Sequence, residues 1–439
     1  MKKTSARPQK YVHTTPFCGL GGARAARALI CLIATAALAA CGGSSDESGP
    51  RDLTFFVAIQ PGGTIEEVSK RCSEESNGKY TITPEFLPTD ASQQREQLVR
   101  RLGAEDSSID IVGMDVIWTG EFANAGWVEP WAGPLKKQVT EKVFPNVIET
   151  ASFEHKLYAA PFNTNTQLLW YRKDLVKKPP KTWDEMIEVA EGLKEAGSIQ
   201  VQANRYEGYM VFVNALIESA GTEILSGPEE VDLEQGPTEK ALQVIGKLAN
   251  GSAAPPSLST SDEDSARLAF EAGESAFMTN YTFAYASAQA EAPEIGKNMG
   301  YARFPRVDAS KPSKPPLGGF NLAVSSFSQN KDVAFEAAAC LANDKSQKAA
   351  VELDGLPPSR SDLYSDKVVT TAYPGFAQLV KESIEESGPR PTTPAYQDVS
   401  LAVQRALHPP EKIDPEDTES VYDELKSNLE DAVNREGLL

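Results

Sequence analysis

A chain of 439 residues is long for one hydrophobic core, so two lobes or domains are expected. Its 62 acidic against 43 basic residues leave a formal net charge of −19, a surface that repels nucleic acid and argues against it as a partner. Three histidines and the lack of any His-Glu-x-x-His, Cys-x-x-Cys or Gly-x-Ser-x-Gly spacing give metal-dependent and triad hydrolysis little support, and no cofactor is indicated.

The first forty residues read as a targeting segment. Lys2, Lys3, Arg7, Lys10, Arg24 and Arg27 form a basic region, Ala28 to Ala40 an apolar run, and Leu38-Ala39-Ala40-Cys41 places small residues before a cysteine, the pattern of a lipobox. The apolar run is shorter than the roughly 20 residues a spanning helix needs. Losing residues 1–40 removes six basic residues and no acidic one, which takes the formal charge from −19 to −25. Gly42 to Pro50 reads as a flexible polar tether. Beyond it, Leu53 to Ala58 reads as a buried strand, Gln60-Pro61-Gly62-Gly63 as a turn and Thr64 to Glu74 as a helix. Tyr80 to Phe86 is a second strand, Gln93 to Leu102 a helix and Ile109 to Met114 a third strand, an alternation that predicts an α/β lobe built on a mostly parallel sheet. Ligands of such sheets gather beyond the carboxyl ends of strands, which singles out Gln60 to Gly63, Thr89 to Gln94 and Asp115 to Thr119. Asp115 offers a carboxylate to paired hydroxyls and Trp118 an aromatic face to a sugar ring. The plainer alternatives are a helix N-cap for Asp115 and a core position for Trp118.

Residues 157–162 read as a short strand stopped by Pro161, residues 163–167 as a polar hinge and residues 168–171 as the start of a second strand. Asn163, Thr164, Asn165, Thr166 and Gln167 both donate and accept hydrogen bonds, which suits a neutral polyhydroxyl ligand better than an ion. An ordinary surface loop is the other reading.

The run Lys156-Leu157-Tyr158-Ala159-Ala160-Pro161, the polar segment, Leu168-Leu169-Trp170-Tyr171-Arg172 and Asp174-Leu175 resembles the crossover between lobes in the extracellular solute-binding proteins of sugar ABC importers. Within that family, Thr164 to Arg172 and Asp115-Val116-Ile117-Trp118-Thr119-Gly120-Glu121-Phe122 are similar to the trehalose-binding lipoproteins of actinobacteria, the LpqY type, and the similarity runs from about Leu53 to the C-terminus. The resemblance implies a two-lobed α/β fold of the periplasmic-binding-protein type (type II), each lobe a mixed, mostly parallel sheet flanked by helices, with the ligand cleft between them. It implies a signal peptide over 1–40, a lipidated tether over 41–51, one lobe of 52–161 plus 322–360 and another of 162–321 plus 361–439. It also implies cleavage before Cys41 and acylation of its thiol, which would hold the protein on the outer face of the cell membrane. Cys72 and Cys340 are then left together in an oxidising compartment; a disulfide is the economical reading, two separate buried thiols the other.

Past Pro161, Thr182-Trp183-Asp184-Glu185 reads as a capping box for a helix that Gly197 closes, with further helices at Gly208 to Ala220 and Pro237 to Ala249. Ser265 to Glu271 reads as helix and Ser275 to Thr279 as strand, so Asn280 and Tyr281 follow a strand end as Asp115 and Trp118 do. Four prolines in Pro305 to Pro316 exclude a helix or a central strand. Leu317 to Val324 is a return strand whose Gly318 and Gly319 let backbone approach a ligand, with Phe320 beside them. Asp332 to Asn343, Ser346 to Leu353 and Pro415 to Asn434 read as helices. Arg390 is similar to a sugar-contacting arginine of the family, and its guanidinium could span two hydroxyls.

The ligand-binding set implied is thus Gln60, Gln94, Asp115, Trp118, Asn165, Asn280, Tyr281, Gly319, Phe320 and Arg390. The sequence departs from the trehalose-binding pattern at Pro61 and Met278, where an acidic residue is usual, at Tyr281 for tryptophan and at Phe320 for leucine. The expected function is a monomeric substrate-binding lipoprotein rather than an enzyme. It would capture a disaccharide, trehalose first and a maltose-type sugar or glycerophosphodiester as alternatives, for two permease subunits and a cytoplasmic ATPase. A secreted glycoside hydrolase needs only two carboxylates, but no acid/base motif stands out.

Overall fold

Two mixed sheets organise the chain. The computed structural model describes residues 49–88 and 91–434, so the targeting segment, Cys41, Thr89 and Asp90 lie outside the described residues. β1 (Arg51–Ala58) pairs in parallel with β2 (Tyr80–Leu87) on one side and β3 (Ile111–Asp115) on the other. Parallel neighbours need a crossover. Helices Thr64–Glu75 and Ala91–Leu102 supply it, turning Ile65, Val68 and Cys72, and then Leu98 and Leu102, into the core. A hairpin of β4 (Ser152–Phe153) and β5 (Lys156–Leu157) leads into β6 (Ala159–Asn165).

The second sheet holds β7 (Gln167–Arg172), β8 (Ile199–Gln200), β9 (Phe277–Tyr281) and β10 (Met299–Ala302) in the order β10-β7-β9-β8. β7 is antiparallel to both neighbours and β8 is parallel to β9. β11 (Pro316–Val324) then returns to the first sheet and lies antiparallel between β3 and β6, while β12 (Gly388–Pro389) pairs in parallel with Pro316 and Leu317. Both sheets are therefore mixed, with the antiparallel pairs made by β6, β7 and β11, the strands along which the chain passes between sheets.

Several boundaries differ from the sequence reading, each for a local reason. Pro161 does not stop its strand: β6 runs on to Asn165, and the register slips opposite Pro161 between Phe320 and Asn321. A bulge is where a residue without an N–H is tolerated in a ladder. The polar segment is consequently not a loop. Asn163 to Asn165 end β6, Gln167 opens β7, and Asn163, Thr164, Thr166 and Gln167 are all buried. Asn280 and Tyr281 are the last residues of β9 instead of following it. At Thr182 half of a capping box forms: Thr182 Oγ1 accepts from the Glu185 amide at 3.2 Å, but the Glu185 carboxylate accepts from the Lys181 amide at 2.7 Å. The last helix is Glu419–Asn434, starting after Pro415.

Aromatic packing fixes the second sheet. Trp170 of β7 is wholly buried, meets Phe376 edge-on at 5.6 Å and donates its indole N–H to the Asn280 carbonyl at 2.9 Å. Trp183 packs between Phe212 and Phe304 at 5.5 and 5.6 Å. Across the first sheet, Cys72 of helix Thr64–Glu75 is bonded to Cys340 of helix Lys331–Leu341, with 5.9 Å between Cα atoms. No helix among the described residues is long and apolar enough to cross a membrane.

The bridge closes a loop of 268 residues, so its removal releases a large amount of unfolded-chain entropy. The Cys72→Ala/Cys340→Ala double variant is expected to lose about 2–5 kcal/mol of unfolding free energy in urea titration. An unchanged midpoint would show that the two helices hold each other without the bond.

Candidate ligand-binding site

The strand ends converge through register. Phe320 lies opposite Asp115, Gly318 opposite Asn165, and Gln167 opposite Tyr281. Gly319 makes the second of these approaches possible: its φ is +132°, and a Cβ there would sit 2.3 Å from the Asn163 carbonyl oxygen of β6. Around these ends lies a cavity of about 530 Å³, lined from both sheets and within the roughly 300–1,000 Å³ usual for small-molecule sites. Its walls are Asp115, Asn165, Tyr281, Gly318, Gly319, Phe320 and Arg390, the amino-terminal residues Ala91 and Ser92, the turn Tyr206-Glu207-Gly208 with Val211, and Asp262-Glu263-Asp264.

Arg390 anchors one wall. Only 9% exposed, it gives Nη1 to Glu207 Oε1 at 2.6 Å and Nη2 to Asp115 Oδ1 at 3.4 Å. Glu207 also accepts from the Tyr396 hydroxyl and from Ser400 Oγ, the latter at 2.7 Å. Three donors therefore hold this carboxylate, and through it the guanidinium, in one geometry. Asp115 accepts from the Ile117 amide at 3.2 Å and so caps the short Val116–Trp118 turn while its carboxylate borders the cavity; cap and cavity position are compatible. Burial pushes its carboxyl above the usual range, with Arg390 pulling the other way. Burial likewise raises the carboxyl of Glu263, which accepts from the Tyr206 hydroxyl at 2.6 Å, and the phenol of Tyr281.

Six of the ten residues singled out by sequence thus border the cavity; the other four lie elsewhere. Trp118 is buried and stacks on Phe122 at 6.1 Å, which makes it core. Asn280 is wholly buried, giving Nδ2 to the Glu263 carbonyl at 2.9 Å and accepting from the Tyr281 amide at 2.8 Å, so it orients cavity residues without facing them. Gln94 is buried on helix Ala91–Leu102, one turn behind Ala91 and Ser92. Gln60 sits in the turn after β1, where its carbonyl accepts from the Gly63 amide at 3.0 Å. Sequence reading missed Tyr206, Glu207 and Glu263. Their one signal was position at a helix start, sharpest in the capping box that Asp262 and Ser265 form.

Among the lining residues five carboxylates face one cation, and that cation is already paired twice. Such a wall accepts hydrogen bonds from hydroxyls and repels an anion. No cluster of metal-ligating side chains occurs among the described residues. Behind Arg390 lies a second cavity of about 430 Å³, bordered by Asn214, Glu218 and Lys314, in which burial pushes the Glu218 carboxyl up to about 7 against the pull of Lys314.

Comparison with known proteins places these features. The model of the bacterial extracellular solute-binding protein family matches residues 60–348. A probable ABC transporter-binding protein of Deinococcus radiodurans is 30% identical over 340 residues, covering 73% of this chain and 80% of that protein. The diacetylchitobiose binding protein DasA of Streptomyces coelicolor is 24% identical, covering 75% and 80%. A maltotriose-binding protein of Pyrococcus abyssi is 26% identical, covering 61% and 58%. Among solved structures, maltose-bound MalE3 of T. maritima superposes with a TM-score of 0.76 at 23% identity, covering 86% of this chain and 98% of that one. A solute-binding protein of Thermotoga lettingae bound with α-D-tagatose gives 0.75 at 23% identity, covering 87% and 100%. At these identities the structures establish the fold, a two-lobed α/β architecture of the periplasmic-binding type.

Glu207→Ala strips from Arg390 the nearer of its two carboxylates and leaves the Tyr396 and Ser400 hydroxyls without the acceptor they donate to, so a loss of about 3–5 kcal/mol in urea unfolding is expected; a loss below about 0.5 kcal/mol, the range of surface changes, would show that water replaces the carboxylate. For Glu218 the sign is the reverse of a salt-bridged acid. Its folded value lies above the ordinary 4.5, so the folded state holds the extra proton between 4.5 and about 7, and stability from this group falls as pH rises through that window. Glu218→Gln should flatten that fall, and parallel stability curves for the two proteins would refute the titration.

Proposed function

The chain belongs to the bacterial extracellular solute-binding proteins, and on that premise we propose that it captures a neutral disaccharide, trehalose first, and delivers it to the permease of an ABC importer. The names of the family and of the Deinococcus relative describe solute binding for an ABC transporter, which supports a binding component over a catalyst. The observation that carries the choice of ligand is the charge of the cavity: carboxylates of Asp115, Glu207 and Glu263, amide and hydroxyl groups of Asn165, Tyr206 and Tyr281, and a lone guanidinium already paired. Hydroxyls find acceptors and donors there. A glycerophosphodiester would bring a negative charge with no free cation to meet it among the described lining residues, which lowers that alternative.

Between sugars, trehalose rests on the likeness of Thr164 to Arg172 and Asp115 to Phe122 to the trehalose-binding lipoproteins. Two of the four departures lie away from the cavity: Met278 is buried in the core of the second sheet, and Pro61 belongs to the turn after β1. Tyr281 and Phe320 alone among them border the ligand space. A maltose-type oligosaccharide is the second reading, favoured by relatives named for maltotriose and by the fold shared with a maltose-bound protein. In the same proposal, residues 52–161 plus 322–360 and 162–321 plus 361–439 act as lobes that close on the sugar. Ligand held from both sheets stabilises the closed form and presents it to two permease subunits backed by an ATPase. Acylated Cys41 keeps the monomer at the outer face of the membrane.

A thermal-shift screen of the chain from Gly42 onward against trehalose, maltose, sucrose, glucose and a glycerophosphodiester tests the reading, since a ligand specific to the folded state raises the midpoint. Trehalose should give the largest rise. Asp115→Ala and Asn165→Ala should each weaken sugar binding about tenfold, the effect of a buried hydrogen bond lost at about 1–3 kcal/mol. Unchanged affinity in both would remove the site assignment, and no shift with any sugar would remove the function.

A further inference from the structure

The Cys72–Cys340 bridge has one buried cysteine and one that reaches the surface. Cys72 is wholly buried within helix Thr64–Glu75, whereas Cys340 is partly exposed and lines a cavity of about 490 Å³ with Tyr80, Leu135 and Gln138. The buried sulfur has a cation beside it. Arg71 Nη2 lies 3.6 Å from Cys72 Sγ, and the guanidinium is held there by Nη2 donating to Ser346 Oγ and Nη1 donating to Glu75 at 3.2 Å. Arg71 Nε is buried with no partner and keeps an unused donor next to the bridge. At the exposed end, Asn343 Nδ2 lies 3.8 Å from Cys340 Sγ.

These placements make the two sulfurs unequal. Thiol–disulfide exchange needs one sulfur that a thiolate can reach and another that departs readily, and the lower the departing thiol's pKa the faster it leaves. A neighbouring cation lowers that pKa by stabilising the thiolate. Access selects Cys340 for attack, and Arg71 selects Cys72 for departure.

We propose that the bridge is a directional exchange site, attacked at Cys340 by a small-molecule thiolate entering the cavity and released at Cys72. In the first step the thiolate bonds to Cys340 Sγ, the Sγ–Sγ bond breaks, and its electron pair leaves on Cys72 beside Arg71. In the second, another thiolate attacks the sulfur of the small molecule in the mixed disulfide and frees Cys340, which takes a proton from water. Two small thiols are oxidised to one disulfide and the bridge is reduced by two electrons. Opening it releases helix Thr64–Glu75 from helix Lys331–Leu341, so the stability of the first sheet follows the thiol content of the surroundings. The inference is independent of the sugar reading.

The test treats the folded protein with 2-mercaptoethanol, quenches with acid, blocks free thiols with a maleimide and maps both cysteines by peptide mass spectrometry. The expected result is the mercaptoethanol adduct on Cys340 and the maleimide on Cys72. Adduct on Cys72, equal adducts on both, or no reaction before denaturant is added would overturn it. Arg71→Met should slow the exchange several-fold while Arg71→Lys, which keeps the charge, slows it less; equal rates in all three proteins would remove Arg71 from the mechanism. The regiochemistry is read on the unmodified protein, so it stands whether or not a variant folds.

Discussion

A buried guanidinium governs the centre of this molecule. Arg390 is taken almost completely out of water, and an ion so placed persists only with charge and hydrogen bonds gathered round it. Glu207 provides the charge, and Tyr396 and Ser400 fix Glu207 in turn. Those four residues come from the segment after β12, the start of helix Glu207–Ala220 and helix Tyr396–Leu407. Its Nη2 group reaches Asp115 at the end of β3, a strand of the same sheet as β12. One polar network thus sets the distance between strand ends that are far apart in the chain, and the cavity is the space it leaves.

The same seam joins the two sheets around the proposed ligand site. β11 lies between β3 and β6, and its early residues pair with β12, so one strand carries both the floor of the cavity and a connection between sheets. The Gly319 contact with the β6 backbone leaves no room for a side chain, which keeps that floor flat and polar. With few strands crossing, modest torsion changes at the crossings can rotate the two halves against each other, the motion a binding protein needs. Chemistry and mechanics therefore share residues. The disulfide lies apart from this seam, in the helices over the first sheet, where its opening would bear on stability without touching the ligand walls.

Acidic excess, read from composition as a reason to dismiss nucleic acid, takes on a second meaning in the site. Three carboxylates beyond those paired with Arg390 border the cavity, in Asp262, Glu263 and Asp264, and the first two are tied to Ser265 and Tyr206. Carboxylates held by hydroxyl donors within the protein are positioned to do the same for hydroxyls of a sugar. Of the four departures from the trehalose-binding pattern, Pro61 and Met278 do not border this space, whereas Tyr281 and Phe320 do.

Hydrophobic pattern was enough to read β1, β2, the helix between them and the final helix, whose two helices each bury one face and leave the other in water. Helix Glu207–Ala220, buried nearly all round, was legible from its length and its Gly221 stop. Strand-end logic pointed to Asp115 and Tyr281, the polar segment to Asn165, and the likeness to sugar-binding proteins to Arg390; strand-end logic picked all of its candidates alike. It failed at Trp118 and Asn280, since whether a side chain at a strand end turns into the core or into the cleft depends on what packs beyond it, here Phe122 and the backbone of Glu263. Pro161 misled for a related reason: its missing N–H matters only if the partner strand needs it, and the bulge at Phe162 beside it in β6 breaks the ladder there. Sequence by itself determined the elements, the acidic surface and the polar strand ends, all consequences of local pattern. Only the tertiary structure decided that Glu207 and Glu263, more than fifty residues apart, share one wall with Asp115, because contacts across such separations are set by the packing of whole sheets and leave no mark in the spacing of residues.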